Sequence, residues 1–238
     1  MKPRLAEGLS GWLGFSVPLP DYGHLLSLAL LLGLVWTYRR LRRLGYSEEA
    51  CSAVLLSAVV GIYVGAKLLY LAQYPGETGR ALGNPLLFLR NGYSLYGGLA
   101  GLLVGVLGTA RRHQVPALAV LDAMTPSLAL GLAITRIGCF LAGCNFGRPS
   151  GLPWAVRFPQ GSPAWSQQVA SRLLSADSPL SLPVHPTQLY ESALGVVLCL
   201  AAVAAVRRLA GRGGLFFTLA GAYALFRGPE ESIRADAS

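Results

Sequence analysis

Six apolar runs dominate this sequence, near residues 22–38, 51–73, 94–110, 117–140, 188–206 and 213–227. A helix that crosses a bilayer needs about 20 mostly apolar residues. Six such runs take up about half of the chain at that length, so no large soluble domain fits beside them. Charged residues make up 13% of the chain and hydrophobic residues 53%. The charged share is about half the ~25% usual in soluble domains. Disorder is excluded, because it needs low hydrophobicity. A disulfide scaffold is excluded, because four cysteines are too few for 238 residues. The net charge of +9 would suit a nucleic-acid binder, but the apolar bulk would not. The expectation is an all-α, polytopic transmembrane helical bundle of about six spans, with residues 1–238 forming a single integral membrane domain.

The basic residues sort by side. Arg39, Arg40, Arg42 and Arg43 follow the first run, Arg111 and Arg112 the third, and Arg207, Arg208 and Arg212 the fifth. In an alternating topology these three clusters share one side, and the positive-inside rule makes that side cytoplasmic. Both termini then face outward. Met1 to Pro20 carries Pro3, Pro18 and Pro20 and no usable apolar core, so it is not expected to be a cleaved signal peptide. Two long connections face outward, Tyr74–Tyr93 and 142–186. The second is rich in Pro, Ser and Gly and carries Trp154, Phe158 and Trp165. It predicts a small extracytoplasmic cap at the interface, where aromatics collect.

Several charges sit in or beside apolar runs: Lys67, Arg136, Arg227, Asp122 and Glu191. An ionisable group at membrane depth is costly and marks a functional site unless it is paired or snorkels to the surface. Lys67, near the outer end of its run, fits snorkelling. Arg136 opens the stretch Arg136-Ile137-Gly138-Cys139-Phe140-Leu141-Ala142-Gly143-Cys144-Asn145-Phe146-Gly147-Arg148. Two arginines there bracket a glycine-punctuated turn. Guanidinium forks suit phosphate and glycine admits close backbone approach, so the stretch points to an outward-facing polar cavity for an anionic lipid headgroup.

Three further motifs accompany it. In His185-Pro186-Thr187-Gln188-Leu189-Tyr190-Glu191, the proline suits a helix start and Gln188 and Glu191 share a helix face. In Arg227-Gly228-Pro229-Glu230-Glu231-Ser232-Ile233-Arg234, Glu231 and Arg234 would share the face of Arg227 if the helix continued, which Gly228-Pro229 opposes. Tyr96-Gly97-Gly98 opens the third run. Its glycines suit close helix packing, while a buried Tyr96 hydroxyl would need a partner.

Together and in this order these motifs resemble the prolipoprotein diacylglyceryl transferase family, over Tyr22 to Arg234. The resemblance rests on Tyr22-Gly23, Gly97-Gly98, the Arg136 to Arg148 signature, the His185 to Glu191 block, Phe226-Arg227 and Asp122. It implies transfer of a diacylglyceryl group from phosphatidylglycerol to the lipobox cysteine thiol of lipoprotein precursors, with glycerol phosphate leaving. It implies no metal or organic cofactor, no nucleic acid, and a place in the bacterial cytoplasmic (inner) membrane among its lipids. Arg136, Arg227, Tyr96 and Glu191 would be catalytic. Tyr22, Gly97, Gly98, Arg148, His185, Gln188 and Tyr190 would bind substrate.

The chain departs from the family signature at Thr135, Cys139, Ala142 and Cys144, which replace Gly, Asn, Asn and Glu. Tyr96 stands where much of the family has His. These departures keep two other readings open: a related transferase with another acceptor, and a non-enzymatic phospholipid-binding or transport protein. Cys139 and Cys144 are open to three readings, as packed thiols, a disulfide or redox pair, or a catalytic thiol. With His24, His113 and His185 scattered, a metal site is not expected.

Overall fold

The computed structural model describes residues 22–76 and 92–235. The Met1–Pro20 stretch and most of the Tyr74–Tyr93 connection lie outside the described residues. Among the described residues are seven helices: α1 (Tyr22–Arg43), α2 (Glu48–Gln73), α3 (Leu95–Arg112), α4 (Ala117–Ala142), α5 (Pro163–Ala170), α6 (Thr187–Leu209) and α7 (Gly214–Ile233). No strand is present there beyond isolated bridges. Every one of the six apolar runs falls in a helix. Three of those helices, α2, α4 and α6, are long and apolar enough to cross a membrane.

The basic clusters mark the helix ends. Arg40, Arg42 and Arg43 fill the last turn of α1, Arg111 and Arg112 that of α3, and Arg207 and Arg208 that of α6. Cations there complement the unpaired carbonyls of a helix C-terminus. At the other end of a helix, Ser47 caps α2 by accepting from the Ala50 N–H, followed by Glu48 and Glu49.

The chain divides into two compact units. In the unit that includes Leu34–Ala123, α2 and α3 pack backbone to backbone. A Cβ on Gly97 would run into the Gly65 carbonyl, and one on Gly101 into the Gly61 carbonyl. The glycines are therefore required for helix packing. Tyr96 does not behave as its position suggested. It is 75% exposed, because it faces away from the glycine seam. Lys67 does not snorkel either. It is 1% exposed, with Nζ 3.4 Å from the Gly92 carbonyl oxygen and 4.3 Å from the centre of the Tyr93 ring. Gly92 and Tyr93, just before α3, lay a carbonyl and an aromatic face on the ammonium. Asp122 is also structural. It is buried, and Oδ2 accepts the N–H groups of Gly211 at 2.7 Å and Gly213 at 2.9 Å.

The other unit holds Met124–Ala210 and the chain from Gly214. Gly195 of α6 lies so close to α4 that a Cβ would sit 2.8 Å from the Ala133 nitrogen, and Ser192 Oγ donates to the Ala133 carbonyl at 3.0 Å. The connection from α4 to α6 folds on a core of Phe146, Phe158, Ala164 and Val184. Bridges from Val184 to Val156 and Pro149 hold it closed.

Candidate functional site

Glu191 sits on the first turns of α6 with its side chain 1% exposed. A carboxylate so buried must be paired, and three arginines supply the charge. Arg136 Nη2, from the last turns of α4, lies 2.7 Å from Oε2. Arg227 Nη1, on α7, lies 3.0 Å from Oε1. Arg234 Nη1 stands further off, 3.9 Å from Oε1. Arg227 is shared further: Nη1 reaches Glu230 Oε2 at 2.9 Å and Nη2 reaches Glu231 Oε2 at 2.8 Å. The cluster thus alternates cations and carboxylates across three helices.

Two of its parts depend on local sequence. Helical spacing turns both Gln188 and Glu191 inward, as expected, and both are fully buried. Gln188 Nε2 donates to the Cys144 carbonyl at 2.7 Å, and Thr187 Oγ1 to the Asn145 carbonyl at 2.8 Å. The start of α6 therefore fastens the turn that follows Arg136. Gly228-Pro229 does not end α7, which continues to Ile233. Arg227 bridges Glu230 and Glu231 three and four residues on, holding the turn that proline weakens.

Asn145 adopts a left-handed backbone, φ 54°, which asparagine tolerates better than most residues. Its Oδ1 accepts from Arg234 Nη2 at 3.2 Å, and its Nδ2 lies 3.4 Å from Cys139 Sγ and 3.7 Å from Cys144 Sγ. The two cysteines are free thiols, not a disulfide. Hydrogen bonding to Cys139, with burial, pushes the Cys144 thiol well up from its ordinary range.

Other expected residues take supporting places. Tyr22 stands over Gly138, where a Cβ would come within 3.0 Å of the Tyr22 Cδ2 atom. Tyr190 OH accepts from Trp154 Nε1 at 2.8 Å and lies 3.4 Å from His185 Nδ1. Arg148 is exposed. Its N–H donates to the Ile233 carbonyl at 2.7 Å and its Nε to the Arg234 carbonyl at 3.3 Å. Tyr96, Gly97 and Gly98 belong to the other unit. Glu230 and Asn145 carry weight that their motifs did not suggest. The available signal for Glu230 was its i+3 spacing from Arg227.

Among the described residues, the buried acceptors Gln188 Oε1 and Glu230 Oε1 have no hydrogen-bond partner, and Glu191 Oε2 has only its ion pair with Arg136. A helical protein with membrane-length helices and a carboxylate buried among arginines is built as a membrane enzyme with a charged centre. The chain belongs to the prolipoprotein diacylglyceryl transferase family, whose model matches residues 13–238. Three relatives illustrate the match, each named phosphatidylglycerol–prolipoprotein diacylglyceryl transferase. The protein of Clostridium tetani is 29% identical over 238 residues, covering 99% of this chain and 86% of the relative. That of Nitrosomonas europaea is 32% identical over 218 residues, covering 87% and 71%. That of a Wolbachia of Drosophila simulans is 35% identical over 173 residues, covering 70% and 59%.

Proposed function

We propose that this chain transfers a diacylglyceryl group from phosphatidylglycerol to the lipobox cysteine thiol of lipoprotein precursors. A carbon–oxygen bond of the lipid breaks, a carbon–sulfur bond forms, and glycerol phosphate leaves with the electron pair. The thiol proton must pass to a base. The attacking sulfur belongs to the acceptor, so the enzyme supplies position and charge rather than a nucleophile.

The observation that carries this reading within the chain is the convergence of Arg136 and Arg227 on Glu191. The leaving phosphate gains charge in the transition state, and fixed guanidinium donors favour that state most. Glu191 keeps both forks in place at a site that would otherwise hold two repelling cations. Gln188 Oε1 and Glu230 Oε1 are buried acceptors in need of donors. The two hydroxyls of the glycerol headgroup would supply them. Tyr22, Arg148, His185 and Tyr190 frame the headgroup in this reading, and Glu191 is the central candidate for the proton. Gly97 and Gly98 keep their proposed roles through the family pattern alone, and Tyr96 through its position where much of the family has His.

The basic helix ends support cytoplasmic placement of that side in the inner membrane. Residues 142–186 then form a cap on the outer face over an outward-opening polar cavity, within a single integral membrane domain of six spans. The test is transfer to a lipobox peptide by the purified protein in phosphatidylglycerol vesicles, read as a diacylglyceryl mass gain. Arg136→Ala and Arg227→Ala should abolish the gain. Failure of the wild type, where a control transferase succeeds, overturns the reading. A gain on lipids or peptides lacking the cysteine would favour another acceptor.

A further inference from the structure

The turn that closes α4 carries two thiols that the transfer chemistry does not use. Cys139 stands in the last turn of α4, and Cys144 lies just past its end. A regular helix turns residues five apart to different faces, but here the helix has already stopped. Gly143 takes a left-handed backbone, φ 78°, which glycine adopts without strain. The chain doubles back, and the Cys144 N–H donates to the Cys139 carbonyl at 3.1 Å. A carbonyl oxygen lies ~2.4 Å from its own Cα and an amide nitrogen ~1.5 Å from its own. The two Cα atoms therefore stand no more than about 7 Å apart, and the bend at each atom along that path brings them nearer.

The sulfurs converge as well. Both lie around one atom, Asn145 Nδ2, at 3.4 Å for Cys139 and 3.7 Å for Cys144. Cys144 Sγ is 3.7 Å from the Cys139 carbonyl oxygen, and the two thiols hydrogen-bond to each other. A disulfide needs Cα atoms about 4.4–6.8 Å apart and side chains that face one another. This turn offers both while the thiols are free. The same turn is tied into the charged centre. Asn145 Oδ1 accepts from Arg234 Nη2, and Arg234 Nη1 reaches toward Glu191. Gln188 holds the Cys144 carbonyl, and Arg136 stands one helical turn before Cys139.

We propose that Cys139 and Cys144 are a redox-modification site, closing into a reversible disulfide that acts on the charged centre through Asn145. The oxidant is a small-molecule disulfide on the outer face, where the proposed topology places this turn and where disulfides persist. Cys144 is the more open of the two. It gives up its proton and attacks one sulfur of the oxidant, and the other half of the oxidant leaves as a thiol. Cys139 then gives up its proton and attacks the Cys144 sulfur, expelling the second half. Two electrons and two protons pass from the pair to the oxidant, which becomes two thiols. Closure draws the sulfurs to about 2 Å from each other and away from the Asn145 amide between them. Asn145 then loses the contacts that aim its oxygen at Arg234, and transfer slows. This effect on transfer rests on the transferase reading above, whereas closure itself does not.

The test uses the full chain in phosphatidylglycerol vesicles, treated with oxidised glutathione or with a phosphine reductant. Maleimide is added after unfolding in dodecyl sulfate, and intact mass counts the labels. All four cysteines should label in the reduced protein. Only two should label in the oxidised one, with a loss of two hydrogens, and peptide mapping should place the missing pair at Cys139 and Cys144. Transfer to a lipobox peptide should fall about tenfold on oxidation, the effect of one lost hydrogen bond, and return on reduction. The double variant Cys139→Ala, Cys144→Ala should transfer at one rate under both treatments. Four labels after oxidation, or a missing pair elsewhere, overturn the site. Closure that leaves the rate unchanged overturns its action on the charged centre. If the reduced wild type transfers nothing, the transferase reading fails and the action on transfer fails with it, while the label count still decides closure.

Discussion

Glu191 and Arg227 meet with Oε1 3.0 Å from Nη1 although 36 positions separate them in the chain. That contact joins α6 to α7, and Arg136 extends it to α4 from the other carboxylate oxygen. Replacing Glu191 by Ala should strip Arg136 of its carboxylate and leave Arg227 with Glu230 and Glu231 alone. Breaking a buried pair in this way costs about 3–5 kcal/mol. The melting temperature in detergent should fall clearly, and the double variant Arg136→Ala, Glu191→Ala should lose less than the sum of the two single losses.

Arg227 serves three carboxylates with two nitrogens. Lysine keeps the charge but offers one nitrogen and no fork. Arg227→Lys should therefore fold and insert, yet lower kcat of diacylglyceryl transfer by ~100-fold, the scale of one lost transition-state donor. Single-turnover assays in phosphatidylglycerol vesicles would measure this. A variant as fast as the wild type would remove Arg227 from the chemistry.

The seam between α2 and α3 separates glycines that cannot change from one that can. A Cβ on Gly101 would overlap the Gly61 carbonyl, whereas one on Gly98 would stand 3.5 Å from the Ala66 Cβ, an ordinary contact. Gly101→Val should reduce the yield of folded protein and its melting temperature. Gly98→Ala should change stability by less than ~1 kcal/mol. Thermal unfolding followed by circular dichroism distinguishes the two.

The Cys144 thiol is held protonated by its hydrogen bond with Cys139 and by burial. The thiolate is the reactive form, so alkylation of Cys144 by maleimide should be slow at neutral pH and rise only at alkaline pH. Cys139→Ala keeps the carbonyl that the Cys144 Sγ donates to at 3.7 Å but removes the neighbouring thiol, and should bring the onset of labelling to lower pH. Mass spectrometry after timed labelling reads both. Rapid labelling of Cys144 in the wild type at pH 7 would contradict the arrangement.

Much of the centre was legible because helical spacing and charge act locally. Gln188 and Glu191 share a face by number alone, and Arg136 stands out as a cation at the end of an apolar run. What depended on neighbours far along the chain was harder to see. Lys67 looked free to snorkel, yet Gly92 and Tyr93 cover it. Tyr96 looked buried beside two glycines, yet the packed face of α3 is the glycine face and Tyr96 points away from it. Gly228-Pro229 looked like a helix end, yet the carboxylates three and four residues beyond Arg227 hold the turn. Gln168 gave no signal at all, because its burial and the bond that its Oε1 accepts from the Leu182 N–H depend on a segment 14 positions further on.

The charged centre also bears on how such a chain enters a bilayer during synthesis. Its parts emerge in two instalments, and each is electrically neutral when its groups are ionised. α4 and α6 bring one arginine and one glutamate, Arg136 and Glu191, already matched to each other. α7 and the residue after it then bring two of each: Arg227 and Arg234 with Glu230 and Glu231. An unpaired charge at membrane depth is a barrier to insertion. Arg136 waits only until α6 brings Glu191, so the last helix can arrive late without the earlier pair waiting exposed for its counter-ion.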